Sequence, residues 1–168
     1  RVAEGAPLVV EYSTTGALLR QEYANTLKDA LALCGVQLEV RTYEPQQFYE
    51  PGPNGPLFGR SFDLAQLAWQ AGISTPCALF TSDQIPSAEN NWIGTNVAGY
   101  SDAEYDAACY AALQTRPDHP EYTARNQDVQ RLFASSLPAA PLFYRIKVAA
   151  ARPDLCGLTM ETSARSDL

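Results

Sequence analysis

Residues 7–40 read PLVVEYSTTGALLRQEYANTLKDALALCGVQLEV, and the rest of the chain is placed around them. Pro7 to Ser13 is short, apolar and β-branched, as a buried strand is. Thr14-Thr15-Gly16 turns the chain. From Ala17 to Cys34 the residues Leu19, Tyr23, Leu27, Leu31 and Cys34 recur at helical spacing, and Gly35 supplies a C-terminal stop. Val36, Leu38 and Val40 then alternate with Gln37, Glu39 and Arg41, the period of a half-buried strand. Strand, helix and strand in that order imply a parallel pair joined by a right-handed crossover.

Beyond this unit, residues 50–61 (EPGPNGPLFGRS) are rich in proline and glycine and read as a loop. Phe62 to Trp69 reads as a third strand. Residues 70–100 keep no sustained period and carry Pro76, Pro86, Gly94 and Gly99, so a long irregular excursion over the surface is expected, of a length that in compact domains is functional or contains short helices. Ser101-Asp-Ala-Glu104 is a capping box for a helix bearing Tyr105, Ala108, Cys109 and Ala112 on one face. Asp118-His-Pro-Glu121 is a second helix start, with Pro120 near the first helical position. Tyr122, Val129, Leu132, Phe133 and Leu137 continue that helix to Pro138. Leu142, Tyr144, Ile146 and Val148 alternate as a last strand. The expected fold is α/β, a single domain over residues 1–168 with a mostly parallel sheet flanked by helices. Ligands on such sheets bind at the carboxyl ends of the strands. Here those ends are Ser13-Thr14-Thr15, Thr42-Tyr43 and Trp69-Gln70-Ala71-Gly72.

Composition narrows the function classes. The apolar share is 46%, the charged share 18% and the net charge −7, with no basic patch for nucleic acid. No stretch approaches the length of a membrane span. Arg1-Val-Ala-Glu-Gly is not a charged-then-apolar leader, and the chain reads as a portion of a longer protein. Cys34, Cys77, Cys109 and Cys156 have no CxxC spacing, and His119 is the sole histidine, so no zinc or other metal site is expected. The cysteines are either free and buried or joined in two disulfides.

Catalytic signatures are missing. No GxSxG-like nucleophile turn follows a strand, and His119 falls in the polar turn between two helices. The glycines at 52, 55 and 59 lack the lysine and helix start of a phosphate loop. Asp63, inside the third strand, must be hydrogen-bonded or at a sheet end, with Arg60 a candidate partner. Trp69, at the end of that strand, offers a large aromatic contact area to a ligand, or else fills the core. Trp92 either shields the sheet edge or lines a cleft.

The order of these segments resembles the extracellular solute-binding protein family 5, the oligopeptide-, dipeptide- and nickel-binding receptors of ABC importers. The resemblance runs through Tyr12-Ser13-Thr14 and Leu33-Cys34-Gly35-Val36-Gln37-Leu38-Glu39-Val40. It continues through Glu44-Pro-Gln-Gln-Phe48 and Phe62-Asp63-Leu64-Ala65-Gln66-Leu67-Ala68-Trp69. It ends in Gly99-Tyr100-Ser101-Asp102-Ala103-Glu104-Tyr105-Asp106 and Leu137-Pro138-Ala-Ala-Pro141-Leu142-Phe143-Tyr144. The resemblance implies a type II periplasmic-binding-protein fold, of which this chain is most of the C-terminal lobe. It implies a substrate-binding component of an ABC importer, not an enzyme, working outside the cytoplasm on a peptide or other small solute. The implied partners are that solute and permease subunits, with no cofactor, no nucleic acid and no membrane span in this stretch. The implied ligand contacts are Ser13, Thr14, Gln66, Trp69, Gln70 and Gly72. Peptide-binding members carry at the position of Gly72 an aspartate that pairs with the peptide's α-ammonium group. An extracytoplasmic location favours two disulfides, expected as Cys77–Cys109 and Cys34–Cys156. The competing readings are an α/β enzyme such as a hydrolase, and a sensory or adhesion module built on the same fold.

Overall fold

The computed structural model describes residues 7–69, 76–143 and 148–158. Strand β1 (Leu8–Thr15), helix α1 (Leu18–Ala32) and strand β2 (Val36–Tyr43) form the expected crossover. β1 and β2 are parallel, from Leu8 opposite Val36 to Thr15 opposite Tyr43. α1 lays Tyr23, Ala24, Leu27 and Leu31 against Val10 and Tyr12 of β1 and Leu38 and Val40 of β2. Leu19, expected on this face, is exposed, and α1 ends before Cys34. Gly35 donates its N–H to Ala32 O and takes φ +77°, the left-handed conformation that ends a helix without a Cβ penalty.

Helix α2 (Pro45–Phe48) follows the second strand. The third strand, β3, is Leu64–Ala65 alone, parallel to β1 on the other side, giving the order β2-β1-β3. The expected strand over Phe62–Trp69 is thus much shorter. At its start the Asp63 carboxylate accepts the Glu11 N–H at 2.8 Å, taking the place of a backbone carbonyl. Asp63 is therefore structural, and Arg60 is not its partner: that guanidinium lies over Gly99. The second face of the sheet carries a cluster of Phe48, Leu57 and Val97, with Tyr43, Phe58, Phe62, Ala65 and Leu67 around it.

The excursion is held by short 3₁₀ turns at Pro76–Phe80, Ser82–Gln84 and Ala88–Asn90. Buried Asn96 organises it. Its amide group donates to the carbonyls of Phe80, Thr81 and Tyr100, and its side-chain oxygen accepts the Tyr100 N–H. Trp92 is half-buried against Gly52, where any side chain would collide with the indole. It packs on the proline- and glycine-rich loop.

By packing, the described residues up to 68 and 79–102 make one compact unit, and 69, 76–78 and those from 103 on make a second. The second unit is built on α3 (Ala103–Leu113) and α4 (Tyr122–Ser136), which pack on each other. α3 begins at Ala103, so the Ser101 box is shifted by one residue; Ser101 Oγ lies 3.2 Å from Ser82 Oγ instead. α4 begins after Glu121, which leaves Pro120 ahead of the helix. Glu121 forms an ion pair with Arg125 one turn on, at 2.7 Å. Cys77 and Cys109 form a disulfide with Cα atoms 5.7 Å apart. The second expected bridge is not made: Cys34 and Cys156 are free, exposed thiols. Cys34 sits in the turn after α1, and every residue from 148 to 158 is exposed and outside regular structure, so no packing fixes Cys156 beside a partner. Leu142, Phe143 and Val148 are likewise outside any strand, and the remainder of the expected last strand, 144–147, lies outside the described residues.

Candidate functional site

Parallel pairing brings the carboxyl ends of β1 and β3 to one edge, and Arg20 in the first turn of α1 bonds to both. Burial along β1 runs opposite to polarity. Leu8 and Val9 are 46% and 44% exposed, while Ser13 and Thr14 are 0% exposed and Thr15 5%. A buried hydroxyl is costly without a partner, and those of Thr14 and Thr15 are bonded, to Gln66 and Arg20. The Gln66 N–H donates to Ser13 O at 2.9 Å, and Thr14 Oγ1 donates to Gln66 Oε1 at 3.3 Å. Three of the residues expected as ligand contacts, Ser13, Thr14 and Gln66, are therefore brought together. Two buried oxygens, Tyr12 Oη and Ser13 Oγ, have no hydrogen-bond partner among the described residues. Burial pushes the Tyr12 hydroxyl above its ordinary pKa; Tyr23 acts in the same sense and Arg20 against it. Tyr12 is neutral at physiological pH.

The residue that sequence reasoning missed is Arg20. It is 7% exposed, and its guanidinium reaches three segments. Nη1 donates to Thr15 Oγ1 at 3.0 Å and to Gln66 O at 3.3 Å, and Nη2 donates to Tyr49 Oη at 3.3 Å. The signal was present in the sequence. Arg20 precedes Tyr23, Ala24 and Leu27 by three, four and seven residues, which puts a cation on the apolar stripe of α1.

Trp69 does not end a strand, because β3 stops at Ala65. The residue is 39% exposed, so it does not fill the core. Gln70 and Gly72 lie outside the described residues. His119 is exposed, and its Nδ1 accepts the Glu121 N–H at 3.2 Å in the turn before α4. No helix among the described residues is long and apolar enough to cross a membrane.

No family model and no curated protein matches the chain. Solved structures do. The oligopeptide-binding protein of Thermus thermophilus, complexed with a pentapeptide, is 22% identical with a TM-score of 0.69, over 86% of this chain and 26% of that one. The ABC transporter-associated periplasmic binding protein DppA of Helicobacter pylori, in complex with the peptide STSA, is 17% identical with a TM-score of 0.64, over 79% and 24%. NikZ of Campylobacter jejuni, in complex with Ni(L-His), is 21% identical with a TM-score of 0.63, over 80% and 26%. The chain spans about a quarter of the length of each of these proteins. Their ligands are a peptide, a peptide and a metal chelate, and the feature in common with this chain is the backbone. The parallel sheet, its flanking helices and this likeness together give the chain the type II periplasmic-binding-protein fold.

Proposed function

We propose that this chain is most of the C-terminal lobe of a two-lobed solute-binding receptor that delivers a peptide or other small solute to an ABC importer outside the cytoplasm. The observation that carries the reading is the buried polar edge of Ser13, Thr14 and Gln66 at the carboxyl ends of parallel strands, where ligands bind on open α/β sheets. The fold supports it, since the similar structures include proteins bound to peptides and to a nickel chelate. In this reading the lobe binds and releases its solute unchanged. Trp69, Gln70 and Gly72 are the further ligand contacts of this reading, and permease subunits are the partners of the complete receptor. Gly72 offers no carboxylate for an α-ammonium group, so this lobe takes its solute by neutral hydrogen bonds and aromatic contact. The Cys77–Cys109 bridge suits an oxidising compartment.

Native mass spectrometry of the complete receptor, purified without denaturation from its own host, tests the proposal. A defined small mass should be released from the protein on activation. Protein that carries no such mass, and that binds none of a panel of peptides and metal chelates, overturns it.

A further inference from the structure

We infer that Arg20 is a positioning residue for this edge: its guanidinium sets the spacing of the strand ends that present Thr14, Thr15 and Gln66. The inference rests on the solute-receptor reading for its consequence, and on geometry for its substance. The three acceptors of Arg20 come from separate parts of the chain. Thr15 closes β1, Gln66 follows β3, and Tyr49 follows α2. Beyond the two-residue ladder of β3, the end of the third strand is joined to the first by the Gln66 N–H to Ser13 O bond, the Thr14 hydroxyl to Gln66 Oε1 bond and the Arg20 fork, and of these Arg20 alone also reaches Tyr49.

The chemistry requires arginine here. A planar guanidinium donates in several fixed directions at once, so one side chain can hold two acceptors on Nη1 and a third on Nη2. A lysine ammonium at the end of a flexible stem is a single point and cannot span all three. The acceptors are neutral, and none of the described carboxylates forms an ion pair with Arg20. A buried cation held by neutral oxygens keeps its desolvation cost low only while each bond is made, so the geometry is sharply specified. Small displacements of Gln66 pass to Thr14 through the 3.3 Å hydroxyl contact.

Two measurements on Arg20→Met and Arg20→Lys test this. The first is amide hydrogen exchange in the 168-residue chain. The Gln66 N–H should exchange at least about tenfold faster in both variants, while the β1–β2 ladder amides change by less than about threefold, a pattern that general destabilisation does not give. The second is binding of a trialanine, tetraalanine and pentaalanine mixture to the complete receptor, below the melting temperature of every variant. Affinity should fall about tenfold or more in both variants, with lysine failing to rescue. Unchanged Gln66 exchange overturns the inference whatever the binding shows. Faster Gln66 exchange with unchanged affinity confines Arg20 to structure and also overturns it. If the unaltered receptor takes up no oligoalanine, the peptide form of the function fails instead, and Gln66 exchange alone decides whether Arg20 positions the edge.

Discussion

Ser13 and Thr14 are wholly buried while Leu8 and Val9 of the same strand are about half exposed. A strand whose polar end is the enclosed one is organised by hydrogen bonds at that end, and those bonds run through Gln66 and Arg20. Trp69 sits at the opposite extreme, a large aromatic residue left 39% exposed. Truncating it opens no enclosed cavity. Trp69→Ala should therefore keep a cooperative melt, with stability changed by less than about 1 kcal/mol. In the complete receptor the same change should weaken solute binding by about 2 kcal/mol, the scale of an aromatic contact at an interface centre. A variant that fails to fold, or one that binds as tightly as before, removes Trp69 from the ligand contacts.

Among the elements, α3 and α4 rely on local ties. Cys77 and Cys109 are 32 residues apart, and Tyr105 Oη donates to Cys77 O at 2.9 Å beside the bridge. In the loop-entropy model, closing a loop of that length contributes about 3–4 kcal/mol. Replacing both cysteines by serine should lower stability by up to that amount in chemical denaturation. Peptide mapping without reductant should recover this cross-linked pair from unaltered protein, with Cys34 and Cys156 open to alkylation. Recovery of a Cys34–Cys156 peptide would restore the second bridge expected from the sequence.

The start of α4 carries a pH dependence. The hydrogen bond and the charge of Arg125 hold the Glu121 carboxyl below its ordinary pKa, and His119 acts in the same direction. The folded-state value is therefore lower than the unfolded one. The contribution is fully present above the unfolded value, about 4.3, and is lost as pH falls through the folded one. Because Glu121 is exposed, the effect is small and weakens in salt. Circular dichroism of the α3–α4 unit should show helix loss on acidification that Glu121→Gln makes less steep. An identical acid profile in that variant would remove the pair from the account.

At the scale of the whole molecule, the chain covers about a quarter of the receptors it resembles in fold. Closing two lobes on a solute supplies much of the contact area and excludes water, and one lobe presents half of such a cleft. Titration calorimetry of the 168-residue chain with a solute that binds the complete receptor should give little or no heat. Affinity equal to that of the complete receptor would overturn the proposal that this chain is one lobe of a two-lobed site.

The sequence by itself determined the crossover of β1, α1 and β2, because periodic apolar spacing and a glycine stop are local signals that tertiary context left standing. It required a partner for Asp63, and it located Ser13 and Thr14 at the carboxyl end of a strand, since strand ends follow from strand order; Gln66 reaches that edge only because β3 stops at Ala65. The tertiary structure decided the length of β3, where a side-chain carboxylate displaced a backbone acceptor at Glu11. It decided which cysteines meet, because a disulfide needs two backbones brought within a few ångströms, and the exposed stretch holding Cys156 is fixed by no packing. It decided the role of Arg20, whose place on the stripe of α1 was legible but whose three acceptors come from segments 5, 29 and 46 residues away. Such distances are invisible to local periodicity, because they are set by how the sheet, α2 and the segment after β3 pack together.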